Sequence, residues 1–221
     1  DVALALAWAY RAAKQLTPKR DLMAHIDYFF STLSPYAYLA GTRLEEVVAK
    51  HGATLTYKPM DIVSLFGRTG GTSPKDRHPS RQELRAQELN RQAKKLGMTF
   101  HLKPAFWPTN AAPSSYAIIA AQTAGGGDLG KLAHGFLRAV WAEQKDIAQD
   151  DVVRATLEEA GFDPALADSG LLEGAETYAA NLEEAVSRGV FGAPFYITDT
   201  DQRFWGQDRI EDLDLHLSGK L

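Results

Sequence analysis

Apolar residues along this chain fall into short dense runs that alternate with stripes spaced three or four apart. His25–Phe30 is a short, aromatic-rich run and predicts a buried strand. Past Ser34-Pro35 the spacing changes. Tyr36, Ala40, Leu44, Val47 and Val48 recur at helical intervals, with Ser34 placed as N-cap, Pro35 at the first helical position and Gly52 as the stop. Thr54–Tyr57 returns to β-branched and aromatic residues. Together these predict a βαβ unit, which favours a parallel strand pair with a right-handed crossover.

The middle of the chain reads differently. Residues 61–80 carry Gly67, Gly70, Gly71, Pro74 and Pro79, a composition that predicts a long loop. From Arg81 to about Ala167 helical periods dominate: Ala86, Leu89, Ala93 and Leu96 form one stripe, and Leu132, Phe136, Leu137, Val140 and Trp141 another. Lys103–Asn110 is a rigid apolar connector between helices. The α/β pattern then resumes, with a helix through Ala175, Tyr178, Leu182, Ala185 and Val186, strands at Phe195–Thr198 and Arg203–Trp205, and a last helix capped by Asp208. The order βαβ–(helices)–αββα implies an α/β fold interrupted by a helical subdomain. We place the boundaries at 23–78 and 169–221 for the α/β part and 79–168 for the insertion. Residues 1–22 are Ala-rich without the pattern of a secretory signal, and read either as an extension or as a surface helix.

Composition narrows the chemistry. The 221 residues carry a formal charge of −4, which gives no reason to expect nucleic acid or an anionic membrane as partner. Cysteine is absent, so there is no disulfide, no thiolate metal site and no protein thiol for redox work. Any thiol chemistry must use a thiol carried by a ligand. Lack of a signal and of cysteine fits a cytoplasmic protein. The six histidines are scattered without metal-ligand spacing, so no metal is expected. Gly125–Gly130 matches G-x-G-x-x-G formally, but the preceding stretch reads as a helix where a dinucleotide site needs a strand.

Ser34 has a bland reading, a routine N-cap before proline. Three features give it something to face. A helix N-terminus gathers backbone N–H donors suited to an anion. Phe191-Gly-Ala-Pro194 places a proline at a strand start, where a cis bond presents backbone to a ligand. Phe204–Arg209 sets an acid and a base at the start of the last helix.

Ser34-Pro35-Tyr36, the Gly189–Pro194 run and Phe204–Arg209 resemble, in order, three signatures of the 2-hydroxychromene-2-carboxylate isomerase family, relatives of kappa-class glutathione transferases and DsbA-like proteins. The match runs over roughly residues 25 to 221. The resemblance implies a thioredoxin-like fold with an inserted all-helical subdomain, a homodimer, and glutathione as cofactor. By that likeness Ser34 stands where redox relatives carry a cysteine, Ala193 before cis-Pro194 pairs its backbone with the cysteinyl part of glutathione, and Gln207 and Asp208 hold the γ-glutamyl end. Asn110 matches an asparagine near the substrate pocket. Tyr36 and Trp107 are candidate walls for a small aromatic substrate, with core packing the competing role for Tyr36. Two positions depart from the pattern. Gly71 replaces an asparagine that contacts glutathione, and Arg81 replaces a lysine, keeping the charge but not the geometry. The implied reaction is isomerisation by reversible thiolate addition to a conjugated double bond. A transferase that keeps the adduct, and a thioredoxin-fold module that only binds, are the rival readings. Since serine forms no mixed disulfide, Ser34 is expected to hold a thiolate by hydrogen bonding.

Overall fold

In the computed structural model, which describes residues 23–221, the chain is organised around β1 (His25–Phe30). The segment read above as an extension or surface helix lies outside the described residues. Strand alternation sends Ile26, Tyr28 and Phe30 to one face of the sheet and Phe29 to the other, and all four are buried. β2 (Thr54–Pro59) pairs parallel to β1, from His25 opposite Thr54 to Phe30 opposite Pro59. β3 (Phe195–Thr198) lies antiparallel on the other side of β1, and β4 (Arg203–Trp205) antiparallel on β3. The sheet order is therefore β2-β1-β3-β4, with β1 and β3, far apart in the chain, side by side at its centre.

The single helix predicted between β1 and β2 is in fact two. α1 (Pro35–Ala40) stops at Gly41, whose φ of 60° and ψ of −137° no helix continues, and α2 (Arg43–His51) begins after Thr42. Arg43 turns back and donates to the carbonyls of Leu39 and Ala40 at 2.8 and 3.1 Å, satisfying the open end of α1. Apolar spacing ran through this break because α2 resumes the same buried face with Leu44 and Val47.

A second correction concerns the segment expected as a loop. It contains α3 (Ile62–Arg68), capped by Asp61, whose carboxylate accepts from the N–H groups of Val63 and Ser64 at 2.9 and 3.2 Å. Gly70, Gly71 and Pro74 follow this helix instead of disrupting it, and a turn of 3-10 helix covers Pro74–Asp76.

Then come α4 (Pro79–Leu96), α5 (Ala112–Ala124), α6 (Leu129–Trp141), α7 (Asp150–Glu159), the short α8 (Leu166–Ser169) and α9 (Leu171–Ser187). Gly125–Gly127 is the α5–α6 loop, ended by Asp128, which caps α6 through the Lys131 N–H at 2.9 Å. The dinucleotide reading is thereby closed. Phe136 and Trp141 of α6 and Leu157 of α7 pack in one core with Ile26, Tyr28, Phe30 and Tyr196 of the sheet. Each such side chain contributes about 1.5–3 kcal/mol on burial, which fixes the helices against this face. The opposite face carries a smaller core, in which Phe29, Phe195 and Ile197 meet Leu65 of α3 and Ala185 of α9. α10 (Ile210–Leu217) closes the chain. It is preceded by a 3-10 turn over Gln207–Arg209, so Asp208 lies within that turn and makes no capping bond, contrary to expectation. No described helix is long and apolar enough to cross a membrane.

Candidate active site

After β1 the chain turns through Ser31–Leu33 into α1, and three ties hold the turn. The Ser34 N–H donates to the Ser31 carbonyl at 2.9 Å, the Thr32 hydroxyl shares a 2.9 Å hydrogen bond with Ser114 on α5, and the Trp107 indole N–H donates to the Leu33 carbonyl at 3.2 Å. The two longer-range ties come from the connector and from the helix that the α4–α6 region brings over the sheet.

Ser34 itself is 8% exposed. Its Oγ accepts from the Ala37 N–H at 3.2 Å, the capping role read from sequence, and donates to the Ala193 carbonyl at 3.2 Å. Capping alone therefore does not describe it, because the hydroxyl proton spans to a residue 159 positions away. The Ala193-Pro194 peptide bond is cis, in line with expectation; Trp107-Pro108 is also cis, which no sequence feature indicated. The Gly206 N–H donates to the Pro194 carbonyl at 3.0 Å, so the Gly-Gln-Asp turn hangs on the same loop.

Ser34 opens on a cleft of about 570 Å³. Its walls include Tyr36, Phe66, Trp107, Phe191 and Trp205, an apolar surface sized for a small aromatic molecule. Lys75, Arg77, Arg81 and Arg85 also line it, and no Asp or Glu does. A chain with a net charge of −4 thus carries four cations in this cleft. The guanidinium of Arg77 lies 5.7 Å from the Phe66 ring centre, with its Nε donating to the Thr72 carbonyl at 2.9 Å. That of Arg85 lies 5.9 Å from the Tyr36 ring centre. Burial pushes the Tyr36 phenol up, against the pull of Arg85 and Arg77.

Of the residues singled out in the sequence, the fold brings Ser34, Tyr36, Arg81, Trp107 and Ala193 together on the cleft. Four others stand off it. Pro194 is buried behind Ala193. Gln207 is 4% exposed and its Oε1 accepts from Arg43 Nη2 at 2.5 Å, so its side chain faces inward and braces the end of α1. Asp208 is exposed beside Gly206, close enough for its charge to act on Tyr36. Asn110 accepts from the Ala112 N–H at 3.0 Å and shapes the start of α5. Lys75, Arg77 and Arg85 were missed, although Arg81 and Arg85 stand four apart, the spacing of one helix face, with Arg77 just before the helix.

A model of the DsbA-like thioredoxin domain matches residues 25–218. The 2-hydroxychromene-2-carboxylate isomerase of Sphingobium xenophagum is 30% identical over 200 residues, covering 87% of this chain and 97% of that protein. The chain belongs to this isomerase family. A solved 2-hydroxychromene-2-carboxylate isomerase superposes with a TM-score of 0.68 at 24% identity, over 88% of this chain and 95% of that one. The cytosolic disulfide reductase DsbM of Pseudomonas aeruginosa, solved with GSH, superposes with a TM-score of 0.64 at 16% identity, over 89% and 98%.

Within the isomerase family, Gly71 now has a local explanation. A Cβ at this position would come within 2.8 Å of Phe66 Cδ1 and 3.2 Å of Phe66 Cα. The Gly71 N–H also donates to the Phe66 carbonyl at 2.9 Å, holding the two segments together. Phe66 lines the cleft and stacks under Arg77, so a side chain at position 71 would have to displace the Phe66 ring.

Proposed function

We propose that this chain is a glutathione-dependent isomerase acting on 2-hydroxychromene-2-carboxylate-like aromatic substrates. The observation that carries the reading is the Ser34 hydroxyl, buried at the cleft and aimed at the carbonyl before cis-Pro194. Membership of the isomerase family supports the reaction class, and the glutathione-bound DsbM neighbour supports the cofactor. The cleft residues fit that cofactor: its anionic groups find cations such as Lys75 and Arg81 and no opposing carboxylate, and its peptide finds the Ala193 backbone.

Glutathione, when bound, supplies the thiolate that adds reversibly to the conjugated double bond and so frees it to rotate. The chain's residues make that thiolate available and confine the substrate. The Ser34 Oγ–H donates to Ala193 at 3.2 Å, a long bond between neutral groups. A charged acceptor forms a bond roughly twice as strong, so the hydroxyl readily turns its hydrogen bond to a sulfur anion while keeping its proton. The Ala37 N–H keeps its acceptor throughout, because it uses a lone pair of the same oxygen. The Ala193 carbonyl is then free to accept an N–H from the cofactor's peptide. Trp107, held by its bond to Leu33, and Tyr36 confine the aromatic part. Arg81 offers a charge to a cofactor carboxylate, Asp208 one to its ammonium, and Gln207 keeps the Asp208 turn in place through Arg43. Asn110 positions the connector that carries Trp107. We further propose a cytoplasmic homodimer.

The test incubates the protein with glutathione and a conjugated hydroxyaryl acid and follows product mass. Isomerised product of unchanged mass supports the reading. Accumulation of the glutathione adduct identifies a transferase, and failure of glutathione to bind at millimolar concentration in calorimetry identifies a binding module.

A further inference from the structure

Among the described arginines that no side-chain hydrogen bond or ion pair holds, Arg81 and Arg91 are exposed and Arg85 is partly buried. Arg138, Arg154 and Arg188 each engage two carboxylates. Arg85 is partly buried and makes no side-chain hydrogen bond or ion pair with any described residue. Glu88, one turn along α4, and Asp208 act on Tyr36 next to it, yet neither pairs with Arg85. Burial pulls the guanidinium below its ordinary value, and the like charge of Arg77 adds to the effect, with Tyr36 opposing. An unpaired, half-desolvated cation is costly to keep. Its packing against Tyr36 engages the guanidinium without using its N–H donors. Those donors form a fork suited to a planar carboxylate.

Charge counting points the same way. Glutathione as thiolate carries two carboxylates, one ammonium and one thiolate, a net of two negative charges. The cleft holds four cations. One further carboxylate on the second substrate brings three negative charges against them.

We propose that Arg85, backed by Arg77, is the residue that anchors the carboxylate of the aromatic substrate and sets the preference for it over a neutral analogue. This rests on the isomerase reading for its chemistry, but the recognition is measurable without turnover. Phe66, Tyr36 and Trp107 supply the apolar surface for the ring, and Arg85 the anchor at its acidic end.

The test measures binding of trans-cinnamate, cinnamamide and, separately, glutathione to the wild type, Arg85→Met and Arg85→Lys by calorimetry, with thermal melts to verify folding. In Arg85→Met, cinnamate binding is expected to weaken about tenfold or more, the worth of one charge-assisted contact. Arg85→Lys restores part of it. Cinnamamide binds weakly and alike to all three, and glutathione affinity stays within about twofold. The proposal is overturned if wild type does not prefer cinnamate to cinnamamide, if folded Arg85→Met binds cinnamate like wild type, or if it loses glutathione and cinnamate together. Should wild type discriminate the acid through Arg85 yet never bind glutathione, the isomerase reading fails and the carboxylate site stands.

Discussion

Replacing Ser34 by alanine separates its two roles. α1 has only six residues, so its dipole adds little to thiolate stability, toward the low end of about 0.3–1 kcal/mol. The hydroxyl carries the larger share: a hydrogen bond to a charged acceptor contributes about 1.5–3 kcal/mol. At about 1.4 kcal/mol per unit, Ser34→Ala raises the bound thiol by about 1–2 pKa units from a value held below the ordinary ~8.5. At neutral pH the thiolate fraction, and kcat with it, falls about tenfold to a hundredfold. Substrate binding changes less. Since activity needs the deprotonated form, the variant's profile shifts to alkaline pH and approaches the wild-type plateau there. Loss of the cap to Ala37 costs about 1 kcal/mol, which lowers Tm by about 2–4 °C in a chain of this size. The assay is kcat and kcat/KM against pH, with the ultraviolet absorbance of the bound thiolate titrated in parallel. A variant with wild-type kcat and an unmoved thiol titration would falsify the assigned role. A loss that alkaline pH does not recover would show that Ser34 acts only through structure.

Three further expectations follow from the packing. Gly71→Asn lowers stability by about 1–3 kcal/mol through overpacking against Phe66 and does not tighten glutathione binding; a variant that melts like wild type and binds glutathione more tightly contradicts this. Gln207→Ala removes the side-chain acceptor of Arg43 and lowers Tm by about 2–6 °C, while Asp208→Asn leaves Tm in place and weakens glutathione binding about twofold to fivefold, an effect that shrinks with salt; equal effects of both variants on Tm would refute the division. Asp27 sits beside Arg188 and Lys58 on the smaller core, where burial raises its pKa but the Arg188 hydrogen bond and the two cations win, leaving it below 3.8. A depressed carboxylate stabilises the fold above its ordinary pKa and loses that contribution as pH falls through the folded value. Asp27→Asn therefore costs about 1–3 kcal/mol at neutral pH and progressively less below 3.8; a deficit unchanged at about pH 3 is incompatible with this.

Much of the scaffold was legible along the chain, for a physical reason. The helix start at Ser34-Pro35, the stop at Gly52 and the Gly-rich turn before α6 depend on contacts within four or five residues, and β1 declares itself by its own run of apolar and aromatic residues. The absence of cysteine determined that a thiol must be borrowed. Local signals failed where a distant partner decides. The break at Gly41 is sealed by Arg43, which is itself held by Gln207, 164 positions further on. α3 was hidden by the glycines and prolines that follow its end, although Asp61 signalled its start. Ser34 read as a cap, which it is; that its proton points at Ala193 depends on β1 and β3 pairing across the centre of the sheet. The charge of the site was the least visible feature. A net of −4 averages over the surface, whereas the fold turns Lys75, Arg77, Arg81 and Arg85, close together in the chain, toward the cleft and leaves the interleaved Asp76 and Glu83 off it. Sequence thus determined the strands, the βαβ start and that any thiol comes from outside. Only the tertiary structure decided what that thiol and its partner substrate face, because a cleft is made by residues that meet through folding and not through adjacency.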